Sequence, residues 1–389
     1  MGYTMYIPTK VLFGVGKLNE LHTQKMPGQK ALLVLSAGKS AQASGALDRT
    51  VHELTTAGVK VVIFNKVKSN PVKKIVMEGA DVAREEKCDF VVALGGGSVI
   101  DAAKAVALMA VNAGDYWDYI TSGSGKRMAV DHKPLPIIAI TTTAGTGSEV
   151  DAACVITNEE THEKTGFGMP DLFPLLAIVD PQLMLTIPPK STAYQGFDAL
   201  FHSTECYISN KANLLGDMYD LTAIKNIAAN LQQAVDNGGD LHARTKLAFS
   251  STLSGAVMTI SGCTSEHSLE HALSAYHEKL PHGAGLIMIA KAYYGYFIEQ
   301  HCCDQRFISM AQAMGLVHAD KPEDFLTALD GLMQACGVAK LQMSTFGIRP
   351  AEFPTMAENA QKTMGRLFLN DRIDLTQKAC VKIYQESYR

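Results

Sequence analysis

Between residues 30 and 180 the chain repeats one arrangement: a short, mostly apolar run of strand length, then a segment long enough for a helix. The runs are Ala31–Leu35, Val59–Phe64, Phe90–Leu94, Pro136–Ile140 and Leu175–Val179. A strand with one wet face alternates apolar and polar residues. A run apolar on both faces must be covered on both, which is the condition of a parallel strand inside an α/β sheet. Helical patterns over 46–57 and 98–113 supply that cover. The expected first domain is therefore an open, doubly wound, mostly parallel sheet. After Val179-Asp180-Pro181 the pattern changes. Pro188-Pro189-Lys190-Ser191 reads as a stop followed by a helix start with Ser191 as N-cap. Helical periodicity then runs through 191–208, 216–235, 241–261, 264–276, 283–298, 305–315 and 322–336. The second domain is expected to be all-α, giving a division into 1–185 and 186–389.

A chain of 389 residues with 47% apolar and 19% charged residues can bury two sizeable cores. Its formal net charge of −4, with both signs mixed throughout, excludes a general nucleic-acid binder, which needs a basic face. No apolar run approaches the ~20 residues that span a bilayer, so no membrane partner is expected. Met1–Tyr6 lacks the basic and apolar regions of an export signal. Eight cysteines are scattered, without a C-x-x-C pair. These features point to a reduced, cytoplasmic setting.

Two glycine-rich segments follow strand candidates. Leu94 leads into Gly95-Gly96-Gly97-Ser98 and then the helical Val99–Lys104. Glycines let backbone amides approach an anion, and the helix N-terminus that follows favours phosphate. The pattern is not G-x-G-x-x-G, so the ordinary dinucleotide fingerprint is absent. Thr141–Glu149, after the Ile137–Ile140 run, brings hydroxyls and further glycines to a second strand end. In an open parallel sheet both loops lie on the carboxyl edge, where ligands bind. Ser36-Ala37-Gly38-Lys39-Ser40 ends like a Walker A loop, but Leu33 stands where that motif requires glycine.

The helical half carries a second constellation. Asp198 and His202 lie four apart, on one helix face, as do His267 and His271. The chain has 12 histidines, yet His267, His271, His277 and His282 fall within sixteen positions. Three imidazoles and one carboxylate suit a borderline divalent ion such as Fe²⁺ or Zn²⁺.

Taken in order, Phe13-Gly14, Asn70-Pro71, Gly95–Lys104, Thr142–Glu149, Gly196–Glu205, His267–His271 and Pro281-His282-Gly283 resemble the motifs of iron-containing (group III) alcohol dehydrogenases. That family includes lactaldehyde (propanediol) oxidoreductases and butanol dehydrogenases, and shares the dehydroquinate synthase-like fold. The resemblance implies metal ligands Asp198, His202, His267 and His282, with His271 beside nicotinamide and substrate. It implies that Gly96, Gly97 and Ser98 meet a pyrophosphate, and that Thr142, Thr143 and Thr146 line the adenosine side. Asn70, Asp101 and Lys164 match further cofactor positions. Glu205 is expected to support the metal helix, and His277 to lie on the cleft wall or surface. The implied reaction is hydride transfer between NAD(P)(H) and a small alcohol or aldehyde, with a divalent ion as Lewis acid and His271 relaying a proton. NAD-preferring members place an aspartate after the first sheet strand; Ser36–Ser40 contains no acid, so NADP(H) should be accepted. The segment Tyr3–Pro8 reads as a β-rich piece that pairs across a homodimer. Sister activities remain open: glycerol or glycerol-1-phosphate dehydrogenase, or a dehydroquinate synthase-like lyase. A non-catalytic metal-binding scaffold should have lost a ligand or the glycine loop, and this chain has lost neither.

Overall fold

The computed structural model describes residues 2–389. The first part of the chain contains β1 (Lys10–Phe13), β2 (Lys30–Ser36), α1 (Ser40–Ala43), α2 (Ala46–Thr56), β3 (Lys60–Val67), α3 (Lys73–Glu85), β4 (Phe90–Gly95), α4 (Gly97–Met109), α5 (Tyr116–Tyr119), β5 (Ile137–Thr141), β6 (Ala153–Asn158), β7 (Glu163–Gly168) and β8 (Leu176–Val179). Six strands form one sheet in the order β1-β8-β5-β4-β2-β3, with every neighbouring pair parallel. The chain steps from β2 to one edge at β3, then crosses back to β4 on the other side of β2. The crevice at that reversal opens at the carboxyl ends of β2 and β4.

The apolar runs behave as their composition requires. Leu32, Val34, Val91 and Ala93 join one buried cluster with α3 and α4, while Leu33, Leu35, Val92 and Leu94 join another with α2. Each strand thus feeds two cores, and none of these residues keeps more than 3% of its surface.

The second part is helical: α6 (Pro189–Ile208), α7 (Leu214–Asp236), α8 (Leu241–Ile260), α9 (Glu266–Tyr276), α10 (His282–Glu299), α11 (Asp304–Ala313), α12 (Asp324–Ala335), α13 (Phe353–Phe368) and α14 (Gln377–Ser387). It has its own large apolar core. Among the described residues no helix is long and apolar enough to cross a membrane.

Three features depart from the sequence reading. The sheet gains an edge strand, β1, paired with β8. An antiparallel β6–β7 hairpin, packed on α4, interrupts the expected alternation; its glycines Gly166 and Gly168 hide the strand signal. The helix start at α6 also differs. Pro188 is the N-cap and Pro189 the first helical residue, so Ser191 lies inside the helix rather than capping it. Proline fits there because first-turn amides need no acceptor within the helix. Tyr3–Pro8 makes no strand within the chain, and Tyr3, Met5 and Tyr6 are exposed.

Lys104, fully buried in α4, joins these pieces. Its ammonium donates to the Ser148 carbonyl at 2.8 Å, the Ser148 hydroxyl at 2.9 Å, Asp151 at 2.7 Å and the Ala153 carbonyl at 2.8 Å. One side chain thereby fixes the end of the second glycine loop and the start of the hairpin to the helix after the first loop. Removing one partner of such a pair leaves the other charge buried and uncompensated. Lys104→Met is expected to cost about 3–5 kcal/mol, read as a lowered denaturant midpoint for the sheet part. A change below about 1 kcal/mol would show the cluster to be dispensable.

Candidate active site

The two glycine loops leave neighbouring strands at the same level, since Gly95 pairs with Thr141 across β4 and β5. Gly96 is the N-cap of α4, and no side chain caps the helix. Val99 donates to the Gly96 carbonyl at 2.9 Å, which leaves the Gly97 and Ser98 amides without partners at the helix start, backed by the helix dipole. The loops interlock closely: a Cβ on Gly96 would lie 2.6 Å from the Thr143 side chain, and one on Gly97 2.4 Å from that of Thr146. Gly96, Ser98, Thr142, Thr143 and Thr146 are all half-buried and line this opening. Asp101 is placed differently. Its oxygens accept from the Ser148 hydroxyl at 2.6 Å and the Val155 amide at 3.0 Å, so it clips the hairpin to α4. Burial pushes its carboxyl up to about 6 despite Lys104.

On the facing helices, Asp198 Oδ1 lies 3.5 Å from each of three imidazole nitrogens: His202 Nδ1, His267 Nε2 and His282 Nε2. A tetrahedral shell with bonds of about 2.0–2.2 Å has edges of about 3.3–3.6 Å, and each spacing to Asp198 matches one. Donor atoms of Asp198, His267 and His282 lie within 4.8 Å of one another, while His202 groups with His267 and Cys263. Asp198 Oδ1, His202 Nδ1 and His267 Nε2 are buried without hydrogen-bond partners. Such orphaned atoms are costly unless something completes them, and the donor chemistry fits a divalent cation. The second nitrogens are already held. Glu205 binds His267 Nδ1 and Glu270 binds His282 Nδ1, and both carboxylates are fully buried. Carboxylates behind imidazoles fix ring orientation and raise ligand basicity. Burial works to raise the Asp198 carboxyl, but the surrounding imidazoles of His202, His267 and His282 hold it well below the usual range. Burial, with His267 alongside, lowers His202 to about 3.

The two halves of the site touch at Gly145. A Cβ there would lie 2.9 Å from Asp198 Oδ2, so the second glycine loop passes against the acid with no room for a side chain. Asn70 and Lys164 also meet at the cleft. Lys164 donates to Asn70 Oδ1 at 3.0 Å and to the Ser274 hydroxyl at 2.9 Å, with Glu270 at 3.5 Å. Asn70 in turn donates to the Glu278 and Leu280 carbonyls, both at 3.2 Å. His271 sits among these groups, buried, with Nδ1 unpartnered. Burial and the Lys164 ammonium hold its imidazole well below its usual value, so it is neutral at pH 7. His277 lies outside the donor cluster as the half-buried C-cap of α9, 3.5 Å from Glu352.

Sequence reasoning passed over Glu270, whose one available signal was its place between His267 and His271. It also passed over Cys263, whose thiol lies within 4.8 Å of donor atoms on His202 and His267.

A parallel sheet thus brings two glycine-rich turns to one side of a cleft whose other side carries clustered imidazoles and carboxylates. The family profile for iron-containing alcohol dehydrogenases matches residues 8–181, and that for the C-terminal part of the same family matches 192–388. The chain belongs to the iron-containing alcohol dehydrogenase family. It is 35% identical to a 1,3-propanediol dehydrogenase of Klebsiella pneumoniae, covering 96% of each chain. It is 31% identical to an NAD-dependent methanol dehydrogenase of Bacillus methanolicus over 91% of this chain and 92% of the other. The structure superposes on a halo-thermophilic archaeal alcohol dehydrogenase from a Red Sea brine pool with a TM-score of 0.94 and 32% identity, covering 100% and 99% of the two chains.

Glu205→Gln tests the support behind His267. Ion affinity is expected to fall about 10–100-fold with the fold intact, measured by chelator competition. Unchanged affinity would assign Glu205 to packing alone.

Proposed function

We propose that this protein interconverts a small alcohol and its aldehyde using NAD(P)(H) and one divalent ion, Fe²⁺ or Zn²⁺, held by Asp198, His202, His267 and His282. The observation that carries this reading is the set of three equal 3.5 Å spacings around Asp198 Oδ1, directly beneath the Gly145 loop. When bound, the dinucleotide supplies the hydride carrier and the ion supplies Lewis-acid polarisation of the substrate oxygen. The chain's own residues do the rest. The first-turn amides of α4 receive the pyrophosphate, with Gly96, Gly97 and Ser98 giving close approach. Thr142, Thr143 and Thr146 border the adenosine side, and Asn70 and Lys164 border the nicotinamide side of the cleft. Three neutral imidazoles and one carboxylate around a divalent ion leave a net charge of +1, which favours an alkoxide over an alcohol. His271, neutral and adjacent, can accept a proton at one nitrogen while giving one up at the other. Relatives named for propanediol and methanol support a small primary alcohol as substrate. The exposed Tyr3, Met5 and Tyr6 support a homodimer or larger assembly through the N-terminal segment.

The test is oxidation of NAD(P)H by short aldehydes, followed at 340 nm as the coenzyme's absorbance is lost, alongside elemental analysis of two variants. His267→Ala should lose both ion and turnover. His271→Ala should keep its ion and lose turnover. Full ion content in the first variant would remove His267 from the ligand set, and ion loss in the second would add His271 to it.

We further propose that NADPH is used at least as well as NADH. Ala37, Gly38, Lys39 and Ser40 are exposed beyond the end of β2, next to the crevice, and carry no acid to repel a 2′-phosphate. Ala37→Asp should shift preference towards NADH. Steady-state kinetics decides the point: a preference of the unmodified enzyme for NADH beyond about tenfold, or about 1.4 kcal/mol, overturns it.

A further inference from the structure

Away from the donor cluster, a cavity of about 370 Å³ lies between the loop after α5, strand β7 and helix α13. Its walls come from both parts of the chain. Arg127, Lys362 and Arg366 all line it, and no aspartate or glutamate does. Among the described residues, none of these three cations forms an ion pair or donates a side-chain hydrogen bond, although most of the protein's other arginines do. Lys362 and Arg366 reach the cavity from either side of a break in α13. The helix is broken at Met364 (φ −126°, ψ 29°), beside the cavity.

The wall is fixed before any ligand arrives. The Ser122 and Thr165 hydroxyls are 2.8 Å apart, and Thr165 donates to the Thr363 carbonyl at 3.0 Å. Loop, strand and helix are thereby tied at one point. Arg366 lies over Gly166, where an added Cβ would stand 2.7 Å from its Nη2. Glycine at that position lets the guanidinium rest on the hairpin. Arg127, Lys362 and Arg366 are all exposed, so the cavity opens to solvent and a ligand can enter it directly.

We propose that this cavity is a binding site for the phosphoryl group of a small organic molecule, held by Arg127, Lys362 and Arg366. Three converging cations match a dianion, and a guanidinium can bind two of its oxygens at once. A volume of about 370 Å³ falls in the range of small-molecule sites and leaves room for carbon beyond the phosphoryl group. None of Asp198, His202, His267, His271 or His282 lines the cavity.

Isothermal titration of the metal-loaded, NAD-saturated protein tests it, with ionic strength held constant by chloride. The probes are inorganic phosphate, ethyl phosphate and the neutral triethyl phosphate, none of which is an oxidisable alcohol. Inorganic phosphate and ethyl phosphate are expected to saturate one site per chain, and triethyl phosphate to give no heat. Tighter binding of ethyl phosphate identifies an organic phosphate as the ligand; equal or weaker binding identifies free phosphate and overturns the organic part of the proposal. Arg366→Gln and the exposed-site variant Lys362→Gln should each weaken binding about tenfold or more, the worth of one charge-assisted contact. No saturable binding at millimolar phosphate, or undiminished binding in the Arg366→Gln, Lys362→Gln double variant, overturns the site.

Discussion

Everything near the cleft is arranged around one carboxylate. Asp198 is buried on α6, with one oxygen equidistant from three imidazole nitrogens and the other facing Gly145. A lone buried carboxylate would be expelled or protonated; this one is held charged by the rings around it. Those rings need their own backing, and Glu205 and Glu270 provide it from positions with no solvent contact. The polar cluster is thus backed by buried carboxylates on the helical side and meets the second glycine loop at Gly145 on the other.

The sheet supplies the other half by register. Gly95 opposite Thr141 puts two turns side by side, and the β2–β4 reversal leaves the space above them free. Lys104 then fixes the second turn and the hairpin to α4, so the crevice is set by buried contacts rather than by mobile loops. The contact at Gly145 makes the geometry of the crevice and that of the donor cluster interdependent.

Much of this was legible beforehand, for physical reasons that also explain the gaps. Runs such as Phe90–Leu94 are apolar on both faces, and only a doubly covered strand satisfies them. The i, i+4 pairs Asp198/His202 and His267/His271 announced a shared helix face. Strand β1 escaped because Lys10-Val11-Leu12-Phe13 is short and lies at an edge, and β7 because Gly166 and Gly168 carry no side chains to show alternation. Ser191 looked like a cap because its chemistry suits one, but two prolines had already set the helix start. Glu270, Asn70 and Lys164 act through partners far away in sequence, and one-dimensional spacing cannot show such contacts. Asp101 sits on the face of α4 turned to the hairpin, a placement that follows from packing rather than from its position in the motif.

The bonds that Asn70 and Lys164 make across the cleft, to the Glu278 and Leu280 carbonyls and to Ser274, act as lacing between the two parts of the chain. At roughly 1 kcal/mol each, three such bonds weight the joined arrangement by about 3 kcal/mol, a factor of roughly 150, over one in which all three are lost. Any widening of the cleft has to begin by breaking these bonds, so its rim rather than its floor sets how far the two parts can separate.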